Sequence, residues 1–329
     1  MKLAGKKVLV TGAGGFIGSH LVETLASHDC QLRCFIRYTS RSDRGWLEAL
    51  PENVKDGLEI VAGDLKNPDA VRNAVQSCDL VFHLGALVGI PYSYTDPRDY
   101  VDTNVIGTTN VLTAAADFEV DRIIHVSTSE VYGSAQYVPI DEKHAKVAQS
   151  PYSASKIAAD MMAESFHHSF GLPVTVIRPF NTFGPRQSLR AVIPTIITQL
   201  LIGSELKLGS TTPTRDFTYI SDTVAGLIKG AESDEAVGRT VNLGTGIEVS
   251  IGALAEKIAS LLGKEYHYEP DSRRVRPQSS EVSRLLADNS LAQSLLDWKP
   301  QVSLADGLNR TIEWFRENLR GFRPQEYAI

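Results

Sequence analysis

The segment Thr11-Gly-Ala-Gly-Gly-Phe-Ile-Gly18 limits what this chain can fold into more than any other feature. It follows a short β-branched run, Val8–Val10, and opens a helical pattern in which Ile17, Leu21 and Leu25 share one face. Gly12, Gly15 and Gly18 are spaced three and three, with Gly14 between the first two. Glycines at such a turn permit a tight bend and let backbone approach a pyrophosphate. The helix N-terminus then offers free N–H groups and a positive dipole end. Placed in the first strand-to-helix turn, the pattern predicts a dinucleotide site built on Gly12, Gly15, Phe16, Ile17 and Gly18.

The rest of the first half supports that placement. Apolar runs at Leu32–Ile36, Leu58–Ala62, Leu80–Leu84, Ile123–Val126 and Val174–Ile177 read as strands. Helical patterns fall between them around Ala70–Val75, Tyr100–Phe118 and Pro151–Phe170. Continuous apolar strands alternating with helices predict an α/β chain, a Rossmann-type doubly wound parallel sheet covered on both faces. Beyond Asn181 the alternation loosens, with helical segments near Pro194–Leu201, Thr223–Ala231, Ile251–Leu262 and Leu304–Leu319. The expected division is a dinucleotide-binding domain at 1–180 and a smaller C-terminal α/β substrate-binding part at 181–329, interleaved with a cleft between them.

Charge and cysteine usage narrow the function. The 329 residues carry 33 Lys plus Arg against 39 Asp plus Glu, a net charge of −6. That balance argues against a nucleic-acid footprint, so an anionic ligand must be met by a local basic cluster. Cys30, Cys34 and Cys78 form no C-x-x-C pair, and reduced thiols in a cytoplasmic protein are the expectation. No apolar run approaches the roughly 20 residues of a membrane span. His167 and His168 are adjacent on a helix and lack partners with metal-ligand spacing, so no metal site is expected.

Two further features carry chemistry. The second strand ends at Arg37, in Ile36-Arg-Tyr-Thr-Ser-Arg41, where an acidic residue would bind the ribose hydroxyls of NAD. A guanidinium suits a 2′-phosphate, so NADP is favoured, with NAD possible. Asp64 and Leu65 follow the third strand as candidate adenine contacts, although Asp64 serves equally well as a turn residue. Tyr152 and Lys156, in Ser150-Pro-Tyr-Ser-Ala-Ser-Lys156, stand one helical turn apart on one face. A nearby ammonium favours a phenolate, which would make Tyr152 a base near neutral pH.

The glycine turn, the Tyr152/Lys156 pair and Ser127-Thr-Ser-Glu-Val-Tyr-Gly133 together resemble the extended short-chain dehydrogenase/reductase family that modifies nucleotide sugars. Arg178-Pro-Phe-Asn-Thr-Phe-Gly-Pro-Arg186 and Thr214-Arg-Asp-Phe-Thr-Tyr-Ile-Ser-Asp222 add to the likeness. The resemblance implies that Thr128 joins Tyr152 and Lys156 in a catalytic triad. It implies that Glu130 takes the position of the C5 base of 4,6-dehydratases, with Ser129 where their acid usually stands. The same Thr-Ser-Glu is similar to that of UDP-glucuronate decarboxylases, so by itself it does not settle the reaction, and decarboxylation or sugar 4-epimerisation stays open as an alternative. Gly133–His144, Gly184–Thr198 and Arg274–Val282 resemble UDP-N-acetylglucosamine 4,6-dehydratases of legionaminic-acid-type pathways. By that likeness Asn181 and Arg215 meet the diphosphate, Arg276 lies nearby, and Arg190 lies close to the base. Val88, in the loop after the fourth strand, could shape the pocket for the sugar's C2 substituent, and a plain loop reading is equally open there. A homodimer through the helices near Tyr100–Phe118 and Pro151–Phe170 is also implied.

Overall fold

A computed structural model describes residues 1–322. Seven strands form one parallel sheet: β1 Lys7–Thr11, β2 Gln31–Arg37, β3 Leu58–Gly63, β4 Leu80–His83, β5 Arg122–Val126, β6 Val174–Pro179 and β10 Thr240–Leu243. Their order is β10-β6-β5-β4-β1-β2-β3, which places the switch of direction between β1 and β4. The strands are apolar on both faces because helices cover both. Val8, Val10, Leu80, Phe82 and Ile124 pack toward the helices Phe16–Leu25 and Ile220–Glu232. Their neighbours Leu9, Val81 and Ile123 point the other way, toward the helices Pro68–Val75, Gly107–Asp117 and Pro151–Phe170. This period-two partition is what a doubly covered sheet requires.

Strand β10 and the helix Ile220–Glu232 come from beyond residue 180, yet they complete the main sheet and one of its covers. The remaining strands build two small sheets. β7 Asn181–Phe183, β9 Thr214–Tyr219 and β11 Glu248–Ser250 form one, and β8 Glu205–Leu208 with β12 His267–Pro270 form the other. These strands run three to six residues, too short for a legible alternation.

The segment Tyr100–Phe118 is not one regular helix. A short helix, Pro97–Tyr100, passes through a wide π turn at Val101–Ile106 before the regular helix Gly107–Asp117. The buried Asn104 accounts for the widening. Its side chain accepts from Leu87 N at 2.8 Å and donates to Leu87 O at 3.0 Å and Ser155 Oγ at 2.9 Å. A polar group pulled into tertiary bonds within the turn opens the regular ladder.

Candidate active site

The site lies at the C-terminal edge of the parallel strands, where the loops after β1, β2, β3, β4 and β5 converge. Gly12 has φ +70°, and a Cβ there would meet the Gly85 backbone at 2.9 Å. Gly15 caps the helix and donates to Gly12 O at 3.0 Å, and a Cβ on Gly18 would run into that same carbonyl. The first helical turn, with Phe16 and Ile17, contains no acidic residue, so no carboxylate of its own offsets its N–H groups and dipole. These features fit a dinucleotide pyrophosphate. Gly14 has a separate task. Its carbonyl accepts from Trp46 N at 2.9 Å, and a Cβ would sit 2.5 Å from Arg44 O, so the loop after β2 is held against the glycine turn.

Arg37 ends β2 opposite Gly63 and is exposed at this edge. Asp64 closes a local turn by accepting from Lys66 N at 2.9 Å, leaving its carboxylate partly exposed. Leu65 packs closely against Gly85 and Gly107, and its carbonyl accepts from Asn110 at 2.8 Å.

The helix Pro151–Phe170 opens with a reciprocal cap. Ser150 Oγ accepts from Ser153 N at 3.1 Å and Ser153 Oγ from Ser150 N at 3.0 Å, with Pro151 at the first position. This fixes Tyr152 in the first turn and Lys156 in the next, both buried. Thr128, at the end of the loop after β5, hydrogen-bonds the Tyr152 phenol, and the Tyr100 ring stands edge-on to Tyr152 at 6.2 Å. Lys156 Nζ donates to Val126 O at 2.8 Å.

The charge states differ from the expectation. Burial pushes the Tyr152 phenol up, the Thr128 hydrogen bond opposes this, and Glu130 adds to the rise. The lowering expected from Lys156 therefore does not set the phenol, because desolvation of the phenolate is the largest influence on it. Burial also lowers Lys156 to about 8, with Asp160 opposing. Lys156 is thus charged below that pH and loses its charge above it. If the ammonium is needed for turnover, the rate should fall as pH rises through about 8, which a pH–rate profile of the holoenzyme checks.

Thr128 caps a short turn, Ser129–Tyr132, that buries both Ser129 and Glu130. Glu130 N donates to Thr128 Oγ1 at 3.2 Å, and its Oε2 lies 3.8 Å from Arg276 Nη1. Beside it opens a cleft of about 250 Å³ lined by Asn181, Arg190, Arg215 and Arg276, together with Gln187 and Glu281. The small sheet explains part of this convergence. Asn181 pairs with Phe217, and Arg215 lies two residues earlier on that strand and so on the same face. Arg215 Nη2 lies 3.5 Å from Glu281 Oε1. Asn181 Oδ1, Gln187 Oε1 and Arg276 Nη1 are buried without a hydrogen-bond partner, polar groups that a ligand would satisfy.

Val88 stands apart. It is 62% exposed and does not line the cleft, whereas Pro91 does. Asn104 clamps Leu87 on one side and the Tyr100 hydroxyl bonds Gly89 O on the other, which turns the intervening side chain outward. Gln187 and Glu281 escaped the sequence reading, since a glutamine after Gly-Pro-Arg and a glutamate in a polar loop carry no spacing signal.

A family model described as GDP-mannose 4,6 dehydratase matches residues 9–311. The chain belongs to the extended short-chain dehydrogenase/reductase family of nucleotide-sugar epimerases and dehydratases. Family members of both reaction types are similar to it. A dTDP-glucose 4,6-dehydratase of Actinoplanes sp. (strain ATCC 31044 / CBS 674.73 / SE50/110) is 32% identical over 320 residues, covering 95% of this chain and 98% of that one. The structure of DesIV, a dTDP-glucose 4,6-dehydratase from Streptomyces venezuelae with NAD and TYD bound, has a TM-score of 0.86 and 30% identity. It covers 97% of this chain and 100% of its own. A UDP-N-acetylglucosamine 4-epimerase from Methanobrevibacter ruminantium M1 also has a TM-score of 0.86, at 31% identity and the same coverage. The protein is therefore an enzyme of the NAD-dependent sugar-nucleotide dehydratase/epimerase type, with a Rossmann-type fold. No helix among the described residues is long and apolar enough to cross a membrane.

Proposed function

We propose that this enzyme is a 4,6-dehydratase that converts UDP-N-acetylglucosamine, or a close nucleoside-diphosphate hexosamine, to its 4-keto-6-deoxy derivative. The observation that carries the proposal is the buried Glu130 carboxylate, close enough to Tyr152 to raise its phenol and set at the edge of the arginine-lined cleft. A plain 4-epimerase has no need of a second base there. The glycine turn and Arg37 would hold NADP, and Asp64 and Leu65 would border its adenine. When bound, the nicotinamide accepts a hydride from the sugar and returns it.

The chain's own groups move the protons. Tyr152 takes the proton of the 4-hydroxyl, which Thr128 orients, while Lys156 stabilises the phenolate. The ketone at C4 acidifies C5, and Glu130 removes that proton. Hydroxide then leaves C6 as water, protonated by Glu130 acting as acid or through Ser129, and the resulting 4-keto-5,6-ene takes back the hydride at C6 and a solvent proton at C5. Asn181, Arg215 and Arg276 answer the diphosphate charge, and Arg190 borders the base.

Arg276 supports a second reading. A guanidinium 3.8 Å from Glu130 is also a cation where a hexuronate carboxylate could sit, as oxidative decarboxylation would require. Incubation with UDP-N-acetylglucosamine and with UDP-glucuronate, read by mass spectrometry, separates the two. Loss of water from the first supports dehydration, and loss of carbon dioxide from the second supports decarboxylation. An unchanged mass for both overturns the dehydratase reading.

Cofactor choice is tested at Arg37. Arg37→Asp replaces a phosphate-binding fork by a repelling charge. It should weaken NADP binding about ten- to a hundredfold and improve NAD binding, measured by calorimetry with each dinucleotide. Equal binding of both dinucleotides by parent and variant would count against NADP.

Exposed Val101, Ile106 and Met161 lie on the two helical segments expected to pair between subunits, which supports a homodimer. The three free cysteines suit the cytoplasm.

A further inference from the structure

Beneath the triad lies a polar layer that the reaction scheme does not use. Asp160 follows Lys156 by one turn on the same helix and is wholly buried. Its Oδ2 accepts from Arg178 Nε at 3.1 Å, Arg178 Nη2 at 2.8 Å and Ser127 Oγ at 2.8 Å. Its Oδ1 accepts from His125 Nε2 at 3.2 Å. Four donors from β5, its following loop and β6 thus converge on one carboxylate. Ser127 immediately precedes Thr128, so the same carboxylate ties the helix that carries Tyr152 and Lys156 to the segment that carries Thr128 and Glu130.

We propose that Asp160 is the positioning residue of this site: it fixes the triad helix against β5 and is the buried anion that keeps the Lys156 ammonium charged. The groups facing Lys156 leave no other candidate for that role. From β4 comes His83, held by Thr11 Oγ1 at 2.8 Å and Thr108 Oγ1 at 3.0 Å. From β5 come His125 and the Val126 carbonyl. From its own helix come Tyr152 and Asp160, and from β6 Arg178 reaches Asp160. Burial lowers both histidines, so they stay neutral, and His125 Nδ1 is left without a partner. Burial likewise holds Tyr152 as the neutral phenol. Asp160 remains ionised. Burial pushes its carboxyl up, but the His125 hydrogen bond and the Arg178 charge outweigh this and hold it well below the usual carboxylate range. A charge moved from water into this layer is costly unless an opposite charge is fixed beside it.

The test follows Lys156 directly and needs no substrate, so it stands whichever sugar nucleotide the enzyme turns over. The ligand-free protein is labelled at the lysine ε-carbon and titrated by NMR, with Lys156→Arg assigning the signal. The parent should show Lys156 titrating near 8, apart from the surface lysines. Asp160→Asn keeps the shape and removes the charge, and it should lower the midpoint by about one pH unit or more. Should Asp160→Asn fail to fold, Arg178→Gln leaves Lys156 as the main cation near Asp160 and should raise the midpoint. A Lys156 midpoint that stays put in the folded variant, while only its melting temperature falls, reduces Asp160 to a structural tie and overturns the proposal.

Discussion

Glu130→Gln should bind the sugar nucleotide and oxidise it at C4, yet release product about a hundredfold more slowly or worse, the usual scale for a lost general base. An amide is nearly isosteric with the carboxylate, and in the proposed scheme the oxidation belongs to Tyr152, Thr128 and Lys156, which the change leaves in place. Some rise in oxidation rate is even expected. Glu130 adds to the upward push on the Tyr152 phenol, and removing its charge relieves that push. The variant should therefore accumulate reduced cofactor and the 4-ketohexose, seen by stopped-flow absorbance and mass spectrometry. In deuterated water the parent should place deuterium at C5 of the product, whereas the variant should exchange that position very slowly. Parent-like exchange and turnover would move the base elsewhere. The next residues to try are Asp141, which accepts from Tyr137 and Lys143 N, and Glu142, which accepts from Asn242 N at 2.8 Å.

What could be read in the sequence, and what could not, follows from the range of the interactions. The helix Pro151–Phe170 was legible to the residue because its signals are local: Ser150 and Pro151 start it, and Gly171 ends it at φ +69°. The glycine turn was legible for the same reason. Gly14 was not, because its partners Arg44 and Trp46 lie on the loop after the next strand. The wide turn at Val101–Ile106 was missed because its cause, Asn104, bonds residues 17 and 51 positions away. Asp160 gave no signal for a similar reason: Ser127, His125 and Arg178 meet it only after β5 and β6 pair. Spacing suggested that Lys156 would set the Tyr152 phenol. It could not show that both would be buried deeply enough for desolvation to dominate. The cleft residues Asn181, Arg190, Arg215 and Arg276 came from motif likeness; Asn181 and Arg215 meet through short paired strands that periodicity does not reveal, and Arg190 and Arg276 come from loops.

Tyr152→Phe should stop the reaction before any of this chemistry begins. The substitution keeps the ring and its edge-on contact with Tyr100, so the fold should survive. It leaves the Thr128 hydroxyl without its phenol partner, a loss of about 1 kcal/mol in stability that a melting curve would register as a small shift. Turnover should fall by about 10²- to 10⁴-fold, the range for removing a positioned proton acceptor. Reduced cofactor should not build up with substrate, in contrast to Glu130→Gln. The double variant makes the order of steps testable. If Tyr152 acts first, Tyr152→Phe with Glu130→Gln should behave like Tyr152→Phe alone, showing no reduced cofactor and no ketone. If the double variant instead accumulates ketone as Glu130→Gln does, the 4-hydroxyl proton leaves by another route and Tyr152 is not its acceptor.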